Sequence, residues 1–339
     1  MTVAADKKGD RPVFELIRIL RMPLAFLVVL IHVSVPESWS TQAEQETIQF
    51  FRFFFLCPLA VPLFFLFSGL LFFRERELTR ADYVRKLKSR VRTLLIPYLL
   101  FSLIGAGYIW GVKSFGFSRA AENPYDEIHN LWDFFVFICK DGGGIGPLWF
   151  LRHLFLVSLL SPLIYFLIKK IGVLLVLLLF SWMATDGGTI YSVSLFFWAA
   201  GAFIALSSTA PRVINCSFLP LLILYPISAA ADYAFSDIAP WLHALNLAFG
   251  AMLAVSSAQM LPKVSASKLF RRISALPDAS YFVYLTHFFL VGLATRIYGM
   301  TFPPVAGLLA FFVIGGGDTS FAPSLFFFSN AARRTCLKP

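Results

Sequence analysis

Apolar residues along the chain run in long blocks, and short stretches rich in lysine and arginine separate the blocks. A hydrocarbon core about 30 Å thick takes roughly 20 apolar residues per helix. On that ruler the sequence predicts ten spans, near residues 17–36, 48–73, 93–112, 148–168, 171–186, 189–207, 215–235, 241–261, 278–298 and 303–328. The fifth is short, and Gly315-Gly316-Gly317-Asp318 interrupts the tenth. The expected fold is an all-α polytopic membrane protein of about ten transmembrane helices, with residues 1–339 forming one membrane domain.

The cations set the expected orientation. The stretches RERELTRADYVRKLKSRVR (74–92) and KVSASKLFRR (263–272) are densely basic, and Lys169-Lys170, Arg212 and Arg333-Arg334-Lys338 form smaller clusters. Ten spans with both termini cytoplasmic bring every cluster to the cytoplasmic side, as the positive-inside rule requires. The longest opposite loop is then 113–147. The basic residues ahead of the first apolar run are followed by no small-residue cleavage site, so that run is expected to be an uncleaved anchor. No internal repeat of the kind many transporters carry is visible.

Composition agrees with this pattern. Hydrophobic residues make up 58% of the 339 and charged residues 14%. Soluble domains are about one quarter charged. The net charge of +10 is therefore topological and implies a lipid bilayer, not nucleic acid, as the partner. The four cysteines show neither metal-ligand nor CxxC spacing, which speaks against a disulfide framework. HExxH, GxSxG and a phosphate-cradling glycine loop are absent, so no metal site is expected.

One stretch carries candidate chemistry. In RMPLAFLVVLIH (21–32), Arg21 and His32 stand eleven residues apart. At 100° per residue both project from one helix face, separated by about 16 Å along the axis. Arg18 lies one turn before Arg21, near the same face. An imidazole placed inside a bilayer is unfavourable unless it faces a cavity or the bundle interior. Arg21 has two readings: it snorkels to the headgroups, or it serves a site.

This arrangement resembles the first span of the integral-membrane acyltransferases, the acyltransferase-three family. VPLFFLFSGLLFF (61–73) is similar to that family's second span with its Ser-Gly, and YVRKLKSRVRTLLIPYLLFSLI (83–104) to its basic loop and Pro-Tyr third span. PLWFLRHLFLVSLLSPLIYFLIKK (147–170) resembles its Trp-Phe-Leu span, and SYFVYLTHFFLV (280–291) its late Tyr-Leu-x-His span. The five blocks fall in order over residues 17–291, whereas 315–339 matches nothing expected of a last span. The resemblance implies O-acylation, usually O-acetylation, of a cell-envelope carbohydrate or lipid-linked glycan. The donor would be acyl-CoA, usually acetyl-CoA, acting as co-substrate with no permanently bound cofactor. It implies a multi-pass bacterial cytoplasmic membrane protein, with His32 and Arg21 as catalytic residues.

The chemistry of the residues fits that implication. A sugar hydroxyl is a weak nucleophile and needs a base, and histidine is the usual choice near neutral pH. A donor carrying phosphates needs cations. Lys86/Arg90 and Lys88/Arg92 form i,i+4 pairs on adjacent faces as the third span begins, although any positive-inside loop also looks like this. Ser68 either offers a hydroxyl or, with Gly69, lets helices approach closely. Trp149 is an interfacial belt residue or a sugar-stacking platform. Tyr284 and His287, at i,i+3, face the pocket or a helix partner, while His243 lies near a loop and carries no expected role. The competing function is a transporter or flippase for an anionic or glycan substrate, disfavoured by the missing repeat and the lack of acidic residues inside the spans.

Overall fold

The computed structural model describes residues 11–114, 128–207, 218–260, 280–301 and 307–316, and among these every regular element is helical. In chain order the helices are α1 Arg11–His32, α2 Gln42–Phe53, α3 Ala60–Phe72, α4 Arg80–Arg90 and α5 Ile96–Ser114. They continue with α6 Leu131–Asp141, α7 Trp149–Leu159, α8 Ser161–Ile171, α9 Val173–Thr185 and α10 Ile190–Leu206. The last are α11 Phe218–Phe235, α12 Trp241–Ser256, α13 Ser280–Thr301 and α14 Gly307–Gly316. The chain divides into two compact units, Met1–Arg76 with Leu167–Pro339, and Glu77–Phe166.

Four helical stretches are long and apolar enough to cross a membrane: Gln42–Phe72, Arg80–Tyr108, Phe218–Phe235 and Ser280–Met300. Two bent pairs raise the number to six. The protein is thus an all-helical membrane protein, with four to six candidate spans among the described residues where the sequence predicts ten. The difference has local causes. The first span carries Arg18 and Arg21 and ends at His32, four residues early, while α10, α12 and α14 are apolar but short.

In the larger unit, α3 packs along α10 at the closest distance the backbone permits. A Cβ on Gly69 would fall 2.0 Å from the Trp198 carbonyl oxygen, and one on Gly201 would fall 2.0 Å from the Leu66 carbonyl oxygen. The Ser68-Gly69 pair therefore brings the two helices together, as small residues do in membrane packing. A second core joins α1, α13 and α14 through Val29, Leu30 and Val33 with Val283, Val291, Phe311 and Ile314. The backbone N–H of Leu308, at the start of α14, donates to Glu44 of α2 at 3.3 Å. Only Gly315 and Gly316, the last residues of α14, belong to the stretch 315–339 that resembles no last span, and 317–339 lies outside the described residues.

The smaller unit corrects the sequence reading most. Residues assigned to a long external loop contain α6, which the 20-residue ruler passed over because it has only 11 residues. Leu131–Gly144 and Gly146–Leu159 form a pair bent by 107°, turned by Gly142-Gly143-Gly144, all with positive φ. Gly143 is required at this corner, since a Cβ there would lie 1.8 Å from the Ser102 carbonyl oxygen. The expected single span 148–168 is in turn broken after Leu159, and α8 and α9 are bent by 116°. Helix α4 runs through a π-helical stretch, Val91–Leu95, into α5.

Gly69→Leu places a side chain against backbone with no room to shift, so it is expected to destabilise by more than the ~1–3 kcal/mol usual for overpacking. The check is thermal unfolding of the detergent-purified protein, where Gly107→Leu, with nothing within 4 Å of its Cβ, serves as the tolerated control.

Candidate active site

His32 is the last residue of α1. Beyond it the chain leaves the helix ahead of Pro36, and a residue before proline is pushed out of helical geometry. The carbonyl of Ile31 therefore lacks the intrahelical donor that residue 35 would supply. Arg52 of α2 fills that place, its Nε and Nη2 donating to the Ile31 oxygen at 3.1 and 2.7 Å. Arg52 also sits over the Phe53 ring, 4.9 Å from its centroid. Two hydrogen bonds from one guanidinium thus fix the helix end that presents His32.

The His32 ring meets His287 of α13, with centroids 5.1 Å apart and planes tilted by 40°. His32 is half-buried, whereas His287 is 1% exposed. The Nδ1 of His287 stands 2.6 Å from the Tyr284 carbonyl oxygen. A carbonyl only accepts, so Nδ1 carries the proton and Nε2 of the neutral ring is a lone pair. That Nε2 is buried with no hydrogen-bond partner. Such a group normally costs stability. The Tyr284 ring is 5.8 Å from His287 and is also buried.

The structure therefore brings together His32, Tyr284 and His287 from blocks about 250 residues apart. Arg21 and Arg18 lie eleven and fourteen residues back along α1, toward the other end of the helix, with Arg21 half-exposed and Arg18 exposed. Ser68 is buried in α3. The residue that sequence reasoning missed is Arg52. Its signal was present, because it is the only charged residue between Glu46 and Arg74.

In the smaller unit an open groove of about 940 Å³ is lined by Arg80, Arg85, Lys88 and Arg92 among others. Positions 80, 84, 88 and 92 repeat every four residues and so share a helix face. This separates the two basic pairs: Lys88 and Arg92 line the groove, and Lys86 and Arg90 do not. Arg85 is held by Asp82 at 2.8 Å. Trp149 begins α7 in the same unit and packs edge-on against His153, with centroids 5.3 Å apart. The His153 Nδ1 stands 2.8 Å from the Trp149 carbonyl oxygen.

Two further residues correct the sequence reading. Asp232 of α11 lies within an expected span and is 1% exposed, so the spans do contain a buried acid. Its Oδ2 receives the Nδ1–H of His243 at 2.8 Å and the Nδ2–H of Asn246 at 3.1 Å. His243, expected to be ordinary, is thus part of a buried polar network. Asp232 is held by these two neighbours.

The protein is an all-helical membrane protein that brings two histidines together at a helix end. Residues 15–317 match the family of acyltransferase domains, and the chain belongs to that family. It is also similar to the succinoglycan biosynthesis protein ExoH of Rhizobium meliloti (strain 1021). The two are 27% identical over 246 residues, covering 69% of this chain and 66% of that protein. The chain therefore covers just under two thirds of that relative's length. No solved structure matches it.

His287→Phe keeps a ring of similar shape and removes the buried unpartnered nitrogen, whose desolvation costs about 1–3 kcal/mol. The variant is expected to unfold at the same temperature as the parent or a higher one, measured in detergent by thermal melting.

Proposed function

We propose that this chain is a membrane O-acyltransferase that moves an acyl group, most simply acetyl, from acyl-CoA to a hydroxyl of a cell-envelope polysaccharide or lipid-linked glycan. Membership of the acyltransferase family supports group transfer. A relative named for succinoglycan biosynthesis supports a polysaccharide acceptor. The observation that carries the assignment of residues is the His32–His287 contact, with its buried, unpartnered Nε2.

His32 acts as general base. As the acceptor oxygen attacks the thioester carbonyl carbon, its proton passes to the His32 ring. The tetrahedral intermediate collapses, the carbon–sulfur bond breaks, and the imidazolium returns the proton to the leaving thiolate. His287 Nε2 offers a second acceptor beside His32 for an incoming hydroxyl. The cations of the groove, Lys88 and Arg92 with Arg80 and Arg85, supply the charge that the donor's phosphates need.

The reading includes ten spans with both termini in the cytoplasm, so that the donor comes from the side where the basic residues lie. The acceptor then comes from the opposite side, in a bacterial cytoplasmic membrane. Inverted vesicles are expected to consume added acetyl-CoA and sealed right-side-out vesicles to leave it untouched, and equal use by both would reverse the route.

His32→Ala and His32→Gln are both expected to abolish acyl transfer while the protein still purifies as a single species, since Gln keeps hydrogen bonding without basicity. Near-normal turnover in either variant removes His32 from the mechanism. Arg92→Ala is expected to raise the KM for acetyl-CoA about ten- to a hundred-fold, the loss of one hydrogen bond to a charged group, while Arg90→Ala changes it less. Equal effects at the two positions would show that the groove is not the donor site.

A further inference from the structure

Helices α1 and α2 both stop inside the apolar body of the larger unit, and each leaves a carbonyl that its own helix does not serve. At the end of α1 the orphan is Ile31, taken by Arg52. At the end of α2 it is Phe54, the C-cap residue. Were the helix to continue, the Phe54 oxygen would receive the N–H of residue 58, but Pro58 has none. Asn246 of α12 supplies the missing donor, its Nδ2 standing 2.6 Å from the Phe54 oxygen.

Asn246 is itself fully engaged. It is 1% exposed, its Nδ2 also donates to Asp232, and its Oδ1 accepts from the Ser228 hydroxyl at 3.2 Å. An amide whose nitrogen faces two oxygens and whose oxygen faces a hydroxyl has one orientation. Aromatic packing holds the same helix end in place: Phe54 meets Tyr233 at 5.2 Å and Phe55 stacks on Tyr225 at 5.5 Å. Arg52 lies two residues before Phe54, so the contact that fixes the Phe54 carbonyl also fixes the base of the Arg52 side chain.

We propose that Asn246 and Arg52 are positioning residues that hold His32 through successive helix-end carbonyls. Asn246 fixes α2 at Phe54, Arg52 fixes α1 at Ile31, and His32 is the next residue. Asp232 and His243 anchor the amide. The proposal rests on the reading of His32 as the base for its effect on turnover, and on geometry alone for its effect on the His32 ring.

The test uses the full chain in detergent with Asn246→Leu, Arg52→Gln and the double variant. Two quantities are read: the rate of CoA thiol release from acetyl-CoA with envelope polysaccharide as acceptor, and the rate at which diethyl pyrocarbonate modifies His32, followed by mass spectrometry. Each single variant is expected to lower kcat about tenfold, with the KM for acetyl-CoA nearly unchanged, and to change His32 modification about threefold or more. The double variant should be no worse than the poorer single one, because both break one chain of contacts. Pro58→Ala restores a backbone N–H opposite Phe54 and is expected to recover part of both readouts in the Asn246→Leu background. Should Asn246→Leu fail to purify, Asn246→Ser takes its place in the same comparisons. Additive losses, or His32 modification at the parent rate in both single variants, overturn the proposal. Activity surviving in His32→Ala would instead remove the base assignment, leaving the modification data to decide on positioning.

Discussion

The structure depends on how interrupted helices satisfy their last carbonyls away from water. In hydrocarbon an unserved backbone group costs several kcal/mol, so a break within a membrane body survives only where another element supplies a donor. Three breaks among the described residues have one. Arg52 serves Ile31, and Asn246 serves Phe54. In the smaller unit the Tyr98 hydroxyl donates to the oxygens of Ile138 and Cys139 at 2.9 and 2.7 Å, and Arg152 donates to Cys139 and Lys140. The end of α6 is thereby closed just before the three glycines that reverse the chain. One chemical solution, a polar side chain reaching back to a helix end, recurs at these three breaks.

That constraint explains which features were legible in the sequence. The His32 and His287 blocks could be read because their signal is local: a titratable residue in an apolar run, at a spacing that fixes its face. The basic face of α4 was legible for the same reason, although only half of it borders the groove. The bent pairs were not legible, because hydropathy over a 20-residue window averages α6 with its polar flanks and merges α7 with α8. Arg52, Asp232 and Asn246 were present as lone polar residues in apolar stretches, but their meaning is non-local. Phe54 and Asn246 are 192 positions apart, and no periodicity connects them.

The two kinds of polar residue divide along functional lines. Those that close helix ends are engaged: Asn246 uses both its nitrogen and its oxygen, and Arg52 places two nitrogens on one oxygen. His287 differs, since its Nδ1 is engaged and its Nε2 is buried and unpartnered beside His32. A lone pair left open beside His32 gives up stability, and in the proposed mechanism it is the place where a substrate hydroxyl donates.

The place of His32 at a helix end follows from the same logic. A histidine in mid-helix is flanked by turns on both sides, and its reach is limited to what packs against that face. At the final residue of α1 the turn that would follow is absent, and the imidazole is half-buried against one neighbour while the chain departs toward Pro36. Ending the helix there opens one side of the ring, but it also exposes the Ile31 carbonyl and loosens the last turn. Arg52 removes both penalties with one guanidinium. In the proposed mechanism His32 is a base that meets a bulky acceptor hydroxyl, which needs the open side, and meets it in one geometry, which needs the fixed turn. The broken helix and the arginine that closes it are therefore two halves of a single requirement.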